Sequence, residues 1–313
     1  MKTFLKRVRQ FLAAETVSEL RQLRAEVATL REEVRVQSGI IQHGQLGFAR
    51  RRRLRDFGYS VYSQFGEDGI IQYLVHHVPI ENDMFIEFGV EDYRQSNTRY
   101  LLETNDWRGI ILDMVDDAPR FLEQSGLRGW HTIDYVSSMI TAENINTLLS
   151  PYAGDIGLLS MDIDGNEYWI WKALEVISPR IVVCEFQPNF GPELPLTVPY
   201  QPDFQRTAYH SSNLCYGVGL AALGLLAEAK GYTFVGTTGQ HNAFFVRNDV
   251  LGSLPPARIA DEYRETRYRE SRGPNFENTY LTSMTERRRA MRDARLVHVI
   301  TGETKTVGEW FDV

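Results

Sequence analysis

The 313-residue chain is 43% hydrophobic and 24% charged, enough apolar material for one large core or two modest ones and not the composition of a disordered, collagen-like or disulfide-stapled protein. Thirty-four Lys and Arg against 41 Asp and Glu leave a formal charge of −7, which argues against a globally basic nucleic-acid binder. Two cysteines, Cys184 and Cys215, are too few for a disulfide framework, and no stretch reaches the roughly 18–20 unbroken apolar residues of a membrane span, so a soluble, cytoplasmic protein is expected.

Residues 1–38 read as helical. Leu20, Leu23, Val27, Leu30 and Val34 step by three and four, the seam of a coiled coil, and no Gly or Pro precedes Gly39. Only about two heptads are covered, so a homo-oligomerising coiled coil and a solvated helix packed on its own domain stand side by side. Ahead of the stripe, Lys2, Lys6, Arg7 and Arg9 interleave with Phe4, Leu5, Val8, Phe11 and Leu12. That pattern suits peripheral contact with the inner, anionic face of a membrane, and equally the frayed start of the helix; it lacks the apolar run and cleavage site of a secretory signal. A basic linker with Arg50 to Arg53 and Arg55 fills residues 39–58.

From Tyr59 the pattern alternates between helix and strand. Gly66 to His77 carries Ile70, Ile71, Leu74 and Val75 at helical spacing, and Met84 to Glu87 is a short β-rich run. Ser96 to Asn105 reads as a helix capped by Ser96 or Asn97, and Ile110 to Asp113 as a strand. Strands follow at Trp130 to Val136, Ile156 to Asp162 and Arg180 to Glu185, with helices at Thr141 to Leu149 and Glu167 to Leu174 between them. A helix at Leu220 to Lys230, stopped by Gly231, precedes two last strands at Thr233 to Gly236 and Ala243 to Val246. Such alternation predicts an α/β domain over residues 59–250, a largely parallel sheet with helices on both faces. The extension 251–313 predicts one helix near Thr282 to Arg292 and a hairpin near Thr301, with no catalytic reading.

Ligands of open parallel sheets bind beyond the carboxyl ends of the strands. Four consecutive strand ends here carry acids: Glu87, Asp113, Asp162 with Asp164, and Glu185. An acid after a strand also caps the helix that follows, which accounts for any one of these but poorly for all four. Clustered acids repel unless donors or a cation offset them, so the edge predicts a site for hydroxyls, amines or a metal. The first loop, Glu87-Phe-Gly-Val-Glu-Asp92, has one glycine and two further acids, unsuited to pyrophosphate and suited to S-adenosylmethionine, which carries a sulfonium and an ammonium. Gly89 admits a close backbone approach and Asp113 can accept from a ribose diol; with Glu87, Glu91 and Asn97 they make the candidate cofactor residues.

The segment LSMDIDGNEYWIWKAL (Leu159 to Leu174) resembles the K-I-D-V-E-G-x-E-x-x-V-L-x-G motif of FkbM-type methyltransferases, and RIVVCEF (Arg180 to Phe186) is similar to their next strand. SQFGEDGII, FIEFGVED, SNTRYLLE, WRGIILD and NAFFVRND follow the family's order over roughly Tyr59 to Asp249. The resemblance implies a class I methyltransferase (Rossmann-like) seven-stranded sheet with one antiparallel strand, S-adenosylmethionine at its carboxyl edge, and O-methylation of sugars or polyketide-type hydroxyls. Glu91 and Asp92 depart from the family's Ala and Asn.

Methyl transfer to a hydroxyl needs a base or a cation, and Asp162 and Glu185, with Asp164, are placed to accept the proton or to ligate Mg²⁺ or another divalent cation; His210 is a second candidate base. Phe190 to Ser212, rich in proline and aromatics, reads as a lid over a saccharide or glycolipid acceptor or as a rigid connector. Two rival readings remain at this point: a metal-dependent glycosyltransferase using Asp162-x-Asp164, and a non-catalytic coiled-coil scaffold.

Overall fold

The computed structural model describes residues 53–313 and, before them, only residues 17, 19, 20, 23, 24, 27, 30, 31, 34–39 and 41. The chain forms two units, residues 1–49 and 50–313. In the first, the described residues are helical, and Leu20, Leu23, Val27, Leu30 and Val34 are 41–61% exposed. The basic stretches at Lys2 to Leu12 and Arg50 to Arg52 lie outside the described residues.

In the second unit, α1 (Glu67–His77) leads into β1 (Met84–Phe88), α2 (Arg99–Asn105), β2 (Arg108–Asp113), α3 (Asp117–Ser125), β3 (Ile133–Ser137), α4 (Ile145–Leu149), β4 (Gly154–Met161), α5 (Glu167–Ala173) and β5 (Ile177–Glu185). Then come the two-residue β6 (Leu196–Thr197), α6 (Arg206–Tyr209), α7 (Leu220–Ala229), β7 (Tyr232–Thr237) and β8 (Asn242–Arg247). The central sheet runs β3-β2-β1-β4-β5-β8-β7; β8 is antiparallel to both neighbours and every other pairing is parallel. This is the class I methyltransferase, Rossmann-like arrangement that the resemblance implies, with β1 and β4 adjacent at the point where the strand order reverses.

Alternation along the strands builds the two apolar layers. Phe85, Ile111, Leu158, Val183 and Phe244 pack against α1 to α3, while Ile86, Leu112, Leu159, Val182 and Phe245 pack against α4, α5 and α7. Continuing that alternation puts Glu87, Asp113, Asp162 and Glu185 all on the side of α1 to α3. Period 2 thus aligns the four strand-end acids.

The helices at 99–105 and 145–149 are three or four residues shorter at their amino ends than their patterns predict, because Asn97 and Thr98 are drawn toward Glu87 and Thr141 and Asn144 bond each other in a turn. Beyond the sheet lie α8 (Ile259–Glu262), the hairpin β9 (Glu270–Arg272) and β10 (Asn278–Tyr280), α9 (Met284–Ala290), β11 (Arg295–His298), β12 (Thr304–Thr306) and α10 (Val307–Phe311). Here β11 pairs with both β12 and β6, so the extension closes over the Phe190 to Ser212 segment around Phe190, Leu196, Met291, Leu296 and Val307. It belongs to the same compact unit as the sheet.

Candidate functional site

A cavity of about 850 Å³ opens along the carboxyl edge of β1, β2, β4 and β5 and is lined by Glu87, Gly89, Glu91, Asn97, Asp113, Asp162, Asp164 and Glu185. All the sequence-predicted site residues except His210 line it. His210 accepts from the Ser212 amide, its Nδ1 lies 2.8 Å from Ser212 Oγ, and its Nε2 lies 3.1 Å from Asp293. Both ring nitrogens are therefore engaged, Nδ1 within the connector and Nε2 in joining it to the extension, away from the cavity lining.

At the β1 end, Glu87 is 3% exposed and accepts from Ser96 Oγ (2.6 Å), the Asn97 amide (2.8 Å), the Thr98 amide (3.2 Å) and Thr98 Oγ1 (2.5 Å). Burial pushes this carboxyl's pKa up, and those donors pull it back. The carboxylate thereby fixes the entry to α2. Asn97 Nδ2 in turn donates to Ser160 Oγ on β4 (3.1 Å).

Gly89, at φ +74°, has its role set by the protein itself: a Cβ there would stand 1.5 Å from the Asp162 carbonyl oxygen. Gly89→Ala should therefore cost about 3 kcal/mol or more through the left-handed backbone and the clash; urea unfolding checks this.

Asp113 is arranged differently. Its Oδ2 accepts from the Glu91 amide (2.7 Å) and its Oδ1 from the Val115 amide (3.0 Å), which leaves a lone pair on each oxygen beside the cavity. Met114, Val115, Met139 and Ile140 add an apolar slot at this end, although Met114 and Val115 are 55% and 43% exposed. The Glu91 side chain is exposed and contributes through its backbone, whereas Asp92 pairs with Arg94. Spacing gives no signal for the slot, because it is built from two loops brought together by the β2–β3 pairing.

At the other end, Asp162, Asp164 and Glu185 each offer an oxygen within 4.8 Å of the others. At that separation each pair of charges repels by roughly 3 kcal/mol at an effective dielectric of 20. Burial and this repulsion push the Asp162 and Glu185 carboxyls well above the ordinary range. Asp164 (φ +54°) is steadied by Arg206, whose guanidinium donates to Oδ1 (2.5 Å) and lies 4.2 Å over the Tyr216 ring.

Glu167, the last acid of the DIDGNE run, is fully buried and holds the turn by accepting from the Ile163 and Gly165 amides (both 3.0 Å); burial pushes its pKa up to about 7. A Cβ on Gly165 would meet the Phe204 ring at 2.4 Å, so the glycine admits the connector against the acid turn.

The Phe190 to Ser212 segment is both strapped down and part of the wall. Asn166 donates to the Gln201 carbonyl (2.7 Å) and Trp169 to that of Val198 (2.9 Å), while Pro202, Phe204 and Arg206 face the cavity. Tyr268 reaches the mouth from the extension, held where the Arg267 amide donates to Gln240 (2.8 Å) and the Arg272 amide to the Ser212 carbonyl (2.9 Å). Arg206, Tyr216 and Tyr268 escape sequence reading because each comes from a segment without periodic pattern.

Neither a protein-family model nor a curated protein matches the sequence. Among solved structures, the chain is similar to the pyocyanin biosynthetic protein PhzM (12% identity, 56% of this chain and 54% of that one, TM-score 0.36) and to the CurJ carbon methyltransferase (10%, 62% and 57%, TM-score 0.40). It is also similar to an S-adenosylmethionine-dependent methyltransferase from Clostridium acetobutylicum ATCC 824 (9%, 65% and 95%, TM-score 0.38). The chain thus spans a little over half the length of the first two. At these scores the likenesses add nothing to what the strand order gives, which is an α/β protein with the class I methyltransferase fold.

Proposed function

We propose that the protein is an S-adenosylmethionine-dependent O-methyltransferase of FkbM type acting on a hydroxyl of a sugar, glycan or glycolipid. The observation that carries this is Asp113: a carboxylate at the end of β2 with one backbone donor on each oxygen and its remaining lone pairs at the cavity, suited to a ribose diol. The acids around it and the apolar slot beside it suit the positive charges and the adenine of the donor.

The acceptor hydroxyl enters at Asp162 and Glu185, between the Phe204, Tyr216 and Tyr268 rings, which can stack on a sugar face. Its oxygen attacks the methyl carbon in line, the C–S electron pair leaves on sulfur as S-adenosylhomocysteine, and the hydroxyl proton passes to water or to a free carboxylate at this edge. The exposed N-terminal stripe fits self-association through a coiled coil.

Thermal shift separates this reading from its rivals. Stabilisation by S-adenosylhomocysteine supports it; stabilisation by a nucleoside diphosphate with Mn²⁺ supports a glycosyltransferase, and neither supports a scaffold. Asp113→Ala should weaken S-adenosylhomocysteine by about 100-fold in calorimetry, the worth of two charge-assisted hydrogen bonds.

A further inference from the structure

The acid turn and its neighbouring strand together gather more acceptors than donors. Among the described residues, the Asp162 and Glu185 carboxyls contact each other, no backbone amide or further side chain donates to either, and Arg206 occupies one oxygen of Asp164 only.

An independent observation comes from β8. Asn242 is the ladder partner of Glu185, so the two side chains leave the sheet on the same face, side by side. Asn242 is 3% exposed, and its Nδ2 donates to Glu67 Oε1 (2.8 Å), which fixes the amide so that Oδ1 is the other end. That buried oxygen has no hydrogen-bond partner among the described residues, although the residue lines the cavity. Asn166, four residues after Asp162 and 4% exposed, repeats the pattern: Nδ2 donates to the Gln201 carbonyl (2.7 Å) and Oδ1 is left over. Buried acceptors are nearly always matched by a donor or an ion. Carboxylates and amide carbonyls, with no thiol or imidazole among them, are the donor set of a hard divalent cation.

We propose that Asp162, Asp164 and Glu185 bind one divalent cation of the Mg²⁺ class, with the Asn242 amide oxygen as a neighbouring ligand. Its role, which rests on the methyltransferase reading, is to receive the acceptor oxygen in an open coordination position and favour its alkoxide; the proton then leaves to water or to a carboxylate not used as a ligand. Binding itself needs neither donor nor acceptor.

The test uses the full chain stripped with EDTA and titrated with Mn²⁺ alone, followed by loss of the free-ion electron paramagnetic resonance signal. Saturable uptake of about one Mn²⁺ per chain, displaced by Mg²⁺, is expected, together with a rise in unfolding temperature. Asp162→Asn and Glu185→Gln should each weaken uptake by about tenfold or more, and Asn242→Ala by a few-fold. In EDTA the two acid variants should unfold no lower than the parent, since each removes a repelling charge, which separates lost binding from lost folding. Absence of saturable uptake at millimolar Mn²⁺, or uptake unchanged in the doubly substituted Asp162→Asn, Glu185→Gln chain, overturns the proposal. Uptake of Mn²⁺ without any effect of S-adenosylhomocysteine would sink the methyltransferase reading and leave the cation site standing; the reverse pattern would do the opposite.

Discussion

Glu87→Ala is expected to lower stability by about 3–5 kcal/mol, a drop in unfolding temperature of roughly 8–15 °C. The size follows from what the substitution strands. Two backbone amides and two hydroxyls, all within residues 96–98, point at one buried carboxylate, and the methyl group of alanine accepts from none of them. Leaving a buried donor without an acceptor costs about 1–3 kcal/mol each, less what entering water recovers. Glu87→Gln should fall between the two, because its carbonyl can serve some of the donors while its amide group opposes the rest. Circular dichroism melts of the three proteins check the order. Equal melting of alanine variant and parent would mean that the 96–98 loop does not depend on Glu87.

Asp162→Asn should leave S-adenosylhomocysteine affinity within a few-fold of the parent and slow methyl transfer by a factor on the order of 10²–10⁴. The amide keeps the shape of the side chain but neither accepts a proton nor binds a cation with comparable strength. The Asp162 carbonyl, which sets the spacing to Gly89, is untouched by the change. Transfer of labelled methyl groups into a cell extract, with the products identified by mass spectrometry, measures the rate whatever the acceptor is. Full activity in this variant would remove Asp162 from the chemistry.

Much of the fold is legible because strands and helices announce themselves by different periods, and the acids at 87, 113, 162 and 185 all end strands whose apolar runs are plain in the sequence. What each acid does is not legible. Glu87 and Asp113 look alike as letters, yet one is consumed by three consecutive loop residues and the other keeps lone pairs beside the cavity; the difference lies in the path of the loop at 91–98. His210 looks like a base because it stands in a polar loop, and only the packing of β11 beside β6 shows Asp293 brought against it. Tyr268 lies in a segment that reads as charged and silent, since nothing local signals that the Arg267 and Arg272 amides anchor it across the mouth.

The near-contact between Gly89 and the Asp162 carbonyl has a consequence for how this fold could diverge. The turns after β1 and β4 are seated on one another, so the spacing between them is gauged by the backbone rather than by adjustable side chains; under the proposed reaction that spacing sets the path of the methyl group. Different ligands can then be accommodated by remodelling the outer wall at Phe204 and Tyr268, while the spacing of the two turns is inherited unchanged.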